Sequence, residues 1–258
     1  LTSCTFLNIV TTGIASLIIN SNLSVNSSVT IQSNPNLPSL DLSLATNIQK
    51  LYITSNVNLV TFSMPTTHTS LNDLWFYNNK TSSFTFNSQV SNGFFYFYNN
   101  PLMTSVNNLP TAANNLIFDT NALLNNSNNL WDTILASNRS TLCIRFCANF
   151  VSTNVDLSNM TSLTQYRSSG VNISGNYILP ATNVMTRFAA SNVLSLNRIP
   201  TTLQTLHITT SLSLTSIPAI PSTLWGIYIA NTNLTGHLDL SNMTTTSFIG
   251  QNCSQIIL

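Results

Sequence analysis

The chain reads as a repeat solenoid whose short strands stack into one parallel β-sheet. Three observations predict it: an apolar frame recurring every twenty-odd residues, a second set of strings that keeps the same phase, and a composition able to fill a core with almost no charge. The frame emerges when Ile48, Leu51, Ile53 and Asn56 are set against Leu203, Leu206, Ile208 and Ser211, and against Leu224, Ile227, Ile229 and Asn231. Taking Ile53 as the marker, its equivalents are Ile9, Ile31, Phe76, Phe97, Phe118, Phe146, Ser168, Ala190, Ile208, Ile229 and Ile249, at spacings of 18 to 28 residues. A strand of period two then sends Leu51 and Ile53 into the core and Tyr52 outward.

The second signal is a set of near-identical strings around Asp41, Asp156 and Asp239, each ten positions after its marker. A Pro-containing turn also precedes the frame, as at Pro200 before Leu203 and Pro221 before Leu224. The Asn that ends the frame (Asn34, Asn56, Asn121, Asn149, Asn192, Asn231 and Asn252) is expected to turn its amide inward and satisfy backbone groups left unpaired as the chain leaves the strand.

At these residues the chain resembles the leucine-rich-repeat family, and the segment from Leu214 through Pro218 and Pro221 to Leu224 is similar to the short Leu/Pro-rich type of bacterial proteins. The resemblance covers nearly the whole chain and implies a horseshoe with one parallel sheet; Ser168 and Ala190, at apolar marker positions, depart from it. The alternative is a right-handed parallel β-helix, whose coil is of similar length. Residues 1–258 are expected to form a single solenoid of about twelve repeats with an insertion near 122–141, where residues 127–135 read as a capped short helix. Frame-like sequence begins by Leu7 and still runs at Ile249. This predicts either flanking domains or end-to-end contacts between copies of the chain.

Composition excludes several functions. Seven Lys and Arg against six Asp and no Glu give a net charge of +1, too few cations for a nucleic-acid face. Asn, Ser and Thr break every apolar run short of the roughly 18 to 20 residues a membrane helix needs, so no membrane insertion is expected. His68, His207 and His237 share no metal-ligand spacing, and the scattered carboxylates offer no acid–base pair. Asp41, Asp156 and Asp239 follow the repeat, which makes them structural. No nucleophile elbow, phosphate loop or paired-cysteine metal motif occurs. The chain is therefore expected to be no enzyme, with no cofactor and no metal. A hydrolase on a β-helix would need clustered Asp on one face, whereas Asp73 and Asp119 lie two repeats apart.

Placed on one strand, Cys143 and Cys147 stand about 13 Å apart at roughly 3.3 Å per residue, beyond the roughly 7 Å reach of a disulfide. Cys4 and Cys253, at opposite ends of the stack, are separated by on the order of 50 Å. A bridge from Cys4 to Cys253 of a neighbouring copy is compatible with a head-to-tail array, but buried thiols are the expectation for all four.

The outward strand positions carry the functional signal. In repeat order the central column reads Asn8, Thr30, Tyr52, Trp75, Tyr96, Ile117, Arg145, Arg167, Ala189, His207, Tyr228 and Phe248. With the flanking columns it gives an aromatic cluster of Tyr52, Trp75, Tyr77, Tyr96 and Tyr98, followed by Arg145, Arg167 and Arg187. Exposed Tyr and Trp offer area and a hydrogen bond for few lost rotors, and Arg favours an acidic group. β-propensity alone also enriches Tyr and Trp at such positions. The expected function is an extracellular recognition or adhesion module, on a cell surface or virion appendage, holding a glycan or protein on the concave sheet; the alternative is a structural protomer of an extracellular filament. Ten Asn-x-Ser/Thr sequons occur, including Asn22, Asn79, Asn138, Asn159, Asn233 and Asn242, a number that mostly follows from composition.

Overall fold

The computed structural model of the chain describes residues 3–19, 23–65, 71–86, 93–235, 238–241, 243 and 247–253. It divides into two compact units, Leu1–Ile134 with Phe146–Asn149, and Leu135–Arg145 with Phe150–Leu258. Each is a parallel β-solenoid.

The first unit runs through β1 (Ser3–Val10), β2 (Ser24–Gln32), β3 (Ser39–Asp41), β4 (Lys50–Thr54), β5 (Thr61–Ser63), β6 (Asp73–Tyr77), β7 (Ser83–Thr85), β8 (Phe94–Tyr98), β9 (Ser105–Asn107) and β10 (Asn115–Asp119). The strands β1, β2, β4, β6, β8 and β10 pair in parallel in that order, with Tyr52 opposite Trp75 and Trp75 opposite Tyr96. The return segments pair as well, β3 with β5 and β7 with β9. Parallel pairing in both limbs of the coil is what a parallel β-helix has, so the unit fits the alternative reading of the sequence.

Alternation sets the core. Leu51, Ile53, Leu74, Phe76, Phe95 and Phe97 are fully buried. The rings of Phe76, Phe84, Phe86, Phe97 and Phe118 pack together, with Phe84 5.0 Å from Phe76, 4.9 Å from Phe86 and 5.1 Å from Phe97. The insertion forms a 3-10 turn (Ser127–Asn129) leading into helix α1 (Leu130–Leu135), as expected, but its cap is Asn126, whose Oδ1 accepts the Trp131 N–H at 2.6 Å.

The second unit comprises β11 (Thr141–Arg145), β12 (Val151–Ser152), β13 (Gln165–Ser169), β14 (Asn172–Ile173), β15 (Gly175–Tyr177), β16 (Arg187–Ser191), β17 (Val193–Leu196), β18 (Thr205–Ser211), β19 (Gly226–Thr232) and β20 (Ser247–Cys253). Here β11, β13, β16, β18, β19 and β20 form the long ladder, while β12 pairs with β14 and β15 with β17. Ser168 and Ala190 do sit at buried marker positions. The missing volume is supplied from β15: the buried Tyr177 ring lies 5.8 Å from Tyr166 and 5.5 Å from Phe188, and its hydroxyl meets Ser168 Oγ at 3.2 Å. The polar marker is thus paired as well as packed.

Pairing corrects the frame at two places. Ile144, not Phe146, stands opposite Ser168, and Gly250, not Ile249, stands opposite Ile229. Phe146 is accordingly exposed, beyond the end of β11. Cys143 therefore takes the outward column, Arg145 pairs with Ser169 one column over, and Ile249 replaces Phe248 opposite Tyr228. Cys147 lies outside β11 and is buried, as is Cys143, whereas Cys4 and Cys253 are only partly covered. None of the four forms a disulfide.

With the frame so placed, every coil turns the same corner. The residue two past the marker is left-handed throughout: Thr11, Ser33, Ser55, Asn78, Asn99, Thr120, Phe146, Gly170, Asn192, Thr210, Asn231 and Asn252 all have φ between 47° and 62°. Gly and Asn tolerate this region, whereas a bulky side chain is strained there. Phe146, at φ 51° and 55% exposed, gains little from burial in return. Phe146→Asn is expected to raise stability by about 0.5–1 kcal/mol, read as a higher urea midpoint; an unchanged or lower midpoint would mean that the ring makes a compensating contact.

The next residue points inward. Unlike the exposed Thr12 after β1, the residues at this position after β2, β4, β6, β8 and β10, which are Asn34, Asn56, Asn79, Asn100 and Asn121, are all buried. Each side chain binds back to the preceding coil. Asn100 Oδ1 accepts the Asn79 N–H at 3.1 Å and its Nδ2 donates to the Phe76 carbonyl at 2.9 Å; Asn56 and Asn121 repeat the pattern. The inward amide expected for Asn34, Asn56 and Asn121 is present. Asn149, Asn192, Asn231 and Asn252 are not part of it, because the last three occupy the left-handed corner and Asn149 is exposed. In the second unit Ser211 does the same work by accepting the Val193 N–H at 2.9 Å, and Cys253 Sγ lies 3.6 Å from the Ile229 carbonyl.

Candidate functional site

Side chains committed to the scaffold account for much of the polar chemistry. Asp41, Asp156 and Asp239 each accept the N–H two residues on, from Ser43, Ser158 and Ser241, all at 2.9 Å. They are turn-forming groups, as their periodicity implied. Asp119 is buried, and Thr120 Oγ1 donates to it at 3.0 Å. Among the described residues no group of three or more His, Cys, Asp or Glu side chains is placed to hold a metal. His68 and His237 lie outside the described residues.

The aromatic set of the first unit does converge. Tyr52 on β4, Trp75 and Tyr77 on β6, and Tyr96 and Tyr98 on β8 project from one face of three consecutive strands. Trp75 meets Tyr52 edge to face at 6.3 Å and 86°, and Tyr96 at 5.4 Å and 77°. Tyr96 stacks on Tyr98 at 5.8 Å and 8°, while Tyr77 meets Tyr98 at 6.5 Å. Phe94, opposite Asp73 in the ladder, joins them 6.0 Å from Trp75. Trp75 remains 39% exposed, a large apolar group left at the surface in the middle of a ladder.

Asp73 organises this patch. Its Oδ2 accepts the Tyr52 hydroxyl at 2.7 Å and its Oδ1 accepts the Trp75 Nε1–H at 2.9 Å. Partial burial and then the neighbouring Asp73 carboxylate push the Tyr52 hydroxyl up to about 12, so the phenol stays protonated and the carboxylate keeps both donors. Between β2 and β6 the face forms a hollow of about 280 Å³, lined by Tyr52, Asp73, Trp75 and Tyr77 and, on the β2 side, by Thr30 and Gln32. A second hollow of about 290 Å³ lies by Asn78, Lys80 and Asn99. Its polar groups bond to one another, Asn99 to Asn78, Asn78 to Ser55 and Lys80 to Asn58. The aromatic hollow is the better site because it is lined by Trp75, a large apolar side chain left exposed.

The arginines of the second unit do not share a column. Arg145 pairs with Ser169, Arg167 with Ala189, and Arg187 with Thr205, so the three run diagonally over β11, β13 and β16. Arg167 and Arg187 are close enough to His207 to act on it: desolvation first, then the charges of Arg187 and Arg167, hold its imidazole below the ordinary value. The His207 ring packs on Tyr228 at 4.9 Å. Arg139, absent from the outward columns, is the one arginine fully buried, and burial lowers its guanidinium to about 10.

Among the sequons, Asn79 is closed to modification in the folded chain, being 1% exposed with its Nδ2 bonded to the Ile53 carbonyl. Asn138, Asn159 and Asn233 are exposed, whereas Asn22 and Asn242 lie outside the described residues.

Fold and face together define a parallel β-solenoid bearing an aromatic surface patch. No protein family, no curated protein and no solved structure matches the chain. No described helix is long and apolar enough to cross a membrane.

Proposed function

We propose that the chain is a non-enzymatic recognition or adhesion module, working outside the cytoplasm on a cell surface or virion appendage, that holds a glycan or protein on the outer face of its long strands. One observation carries the reading: Tyr52, Trp75, Tyr77, Tyr96 and Tyr98 form a continuous ring surface, with the Asp73 carboxylate bonded to Tyr52 and Trp75, while the periodic polar residues are used up in turns and inward ladders. Rigid aromatics in such a patch dominate binding energy where they occur at interfaces. Arg145, Arg167 and Arg187 would add a second contact region for acidic groups. The extracellular assignment rests on the scarcity of charge and abundance of Asn, Ser and Thr. The buried Asn column supports counting the coil among leucine-rich repeats, and the paired return strands support a β-helix.

A glycan and protein array screened with the whole chain tests this. Any ligand found should lose at least tenfold in affinity for Trp75→Ala combined with Tyr96→Ala, with circular dichroism unchanged. Unchanged affinity in a folded variant ends the proposal. The filament reading is supported by exposed Phe6 and Val10 on β1 and Ile249 on β20, strands with one ladder partner each among the described residues. Negative-stain images showing polymers of the purified chain would favour it.

A further inference from the structure

The chemistry left open in the hollow between β2 and β6 selects a ligand class. Resting on the reading of this face as a ligand surface, we propose that the hollow takes a quaternary ammonium group of the choline type. Tyr52 and Trp75, at 86° to one another, make a corner with two ring faces, and Tyr77 lines the same hollow. Aromatic faces carry negative quadrupole potential and attract cations placed over them. The carboxylate of Asp73 sits in that lining and adds a full negative charge.

Hydrogen bonding sharpens the choice. The Tyr52 hydroxyl and the Trp75 Nε1–H are both spent on Asp73, so neither ring offers its donor to a ligand. What Tyr52 and Trp75 leave is ring face, beside the Asp73 charge and the side chains of Thr30 and Gln32 that complete the lining. An anionic ligand is repelled. A neutral sugar uses the faces and can donate a hydroxyl to the carboxylate, whereas a methylated ammonium meets the carboxylate with a full opposite charge. A primary ammonium is compact and strongly hydrated and gives up more water on moving against ring faces, whereas N-methyl groups carry the same charge on an apolar surface. Lys50, the ladder partner of Asp73, is exposed, and Asp73 bonds to the rings.

Isothermal titration of the whole chain with choline chloride tests this, run beside 3,3-dimethylbutan-1-ol, its uncharged isostere. Choline is expected to bind at least tenfold tighter than the isostere. Asp73→Asn should weaken choline about tenfold, and Trp75→Ala should abolish its binding, both with circular dichroism and thermal unfolding close to wild type. Equal binding of the isostere, or no choline binding by the folded wild-type chain, overturns the inference. Vesicles of phosphatidylcholine separate the sources: choline binding with co-sedimentation supports a lipid headgroup, and choline binding without it supports a soluble or polymer-borne group. If choline does not bind, yet the Trp75 and Tyr96 variant still loses an array ligand, this inference falls and the recognition function stands. If that variant retains the array ligand, the recognition function falls too.

Discussion

Asn100→Ala is expected to destabilise the protein by about 3–5 kcal/mol, lowering its urea midpoint far more than any exposed Asn-to-Ala change. The side chain is 0% exposed and serves two backbone groups of the preceding coil, the Asn79 N–H at 3.1 Å and the Phe76 carbonyl at 2.9 Å. Alanine leaves both buried and unpaired, each at a cost of about 1–3 kcal/mol, and it also removes the 3.1 Å contact with Asn121 Oδ1. Asn58→Ala is the control. Asn58 is exposed and bonds the Pro35 carbonyl at the surface, so its loss should stay within about 0.5 kcal/mol. Equal effects of the two substitutions would show that the column is incidental to stability.

Phe97→Ala is expected to cost about 4 kcal/mol. The ring is fully buried at the crossing of four others, 5.1 Å from Phe84, 5.2 Å from Phe118 and 6.2 Å from both Phe76 and Phe86. The neighbours are held on β6, β10 and the segment of β7, which limits how far they close over the gap, so the cavity adds to the lost transfer energy. Phe6→Ala, at a 59% exposed site on β1, should change stability by less than about 1 kcal/mol. A small effect at Phe97 would indicate a core able to collapse around the missing ring.

Much of this was legible in the sequence because a coil repeats its physics. The spacing of Leu51, Ile53, Leu74 and Phe76 gave the strands and their inward faces, and the outward Tyr52, Trp75 and Tyr96 do fall opposite one another. Phase was lost where apolar residues stood two apart or side by side. Ile144 and Phe146 satisfy the same alternation, and only pairing with Ser168 decides between them; Ile249 competes with Gly250 in the same way.

The inward Asn column was half visible for a related reason. Ser55 with Asn56, Asn78 with Asn79, Asn99 with Asn100 and Thr120 with Asn121 are polar doublets, whose first member makes the left-handed corner and whose second turns inward. Those doublets were the available signal for Asn79 and Asn100. In the second unit the Asn of the sequence frame is the corner itself, so the frame slipped by one. The bond from Tyr52 to Asp73 spans 21 residues, and no local pattern announces it.

The uniform left-handed corner also bears on how such a chain changes over generations. Because the bend is set by backbone conformation and is made by Ser, Thr, Asn, Gly and even Phe, substitution at the joint is expected to leave the path of the coil intact while costing stability in proportion to side-chain bulk.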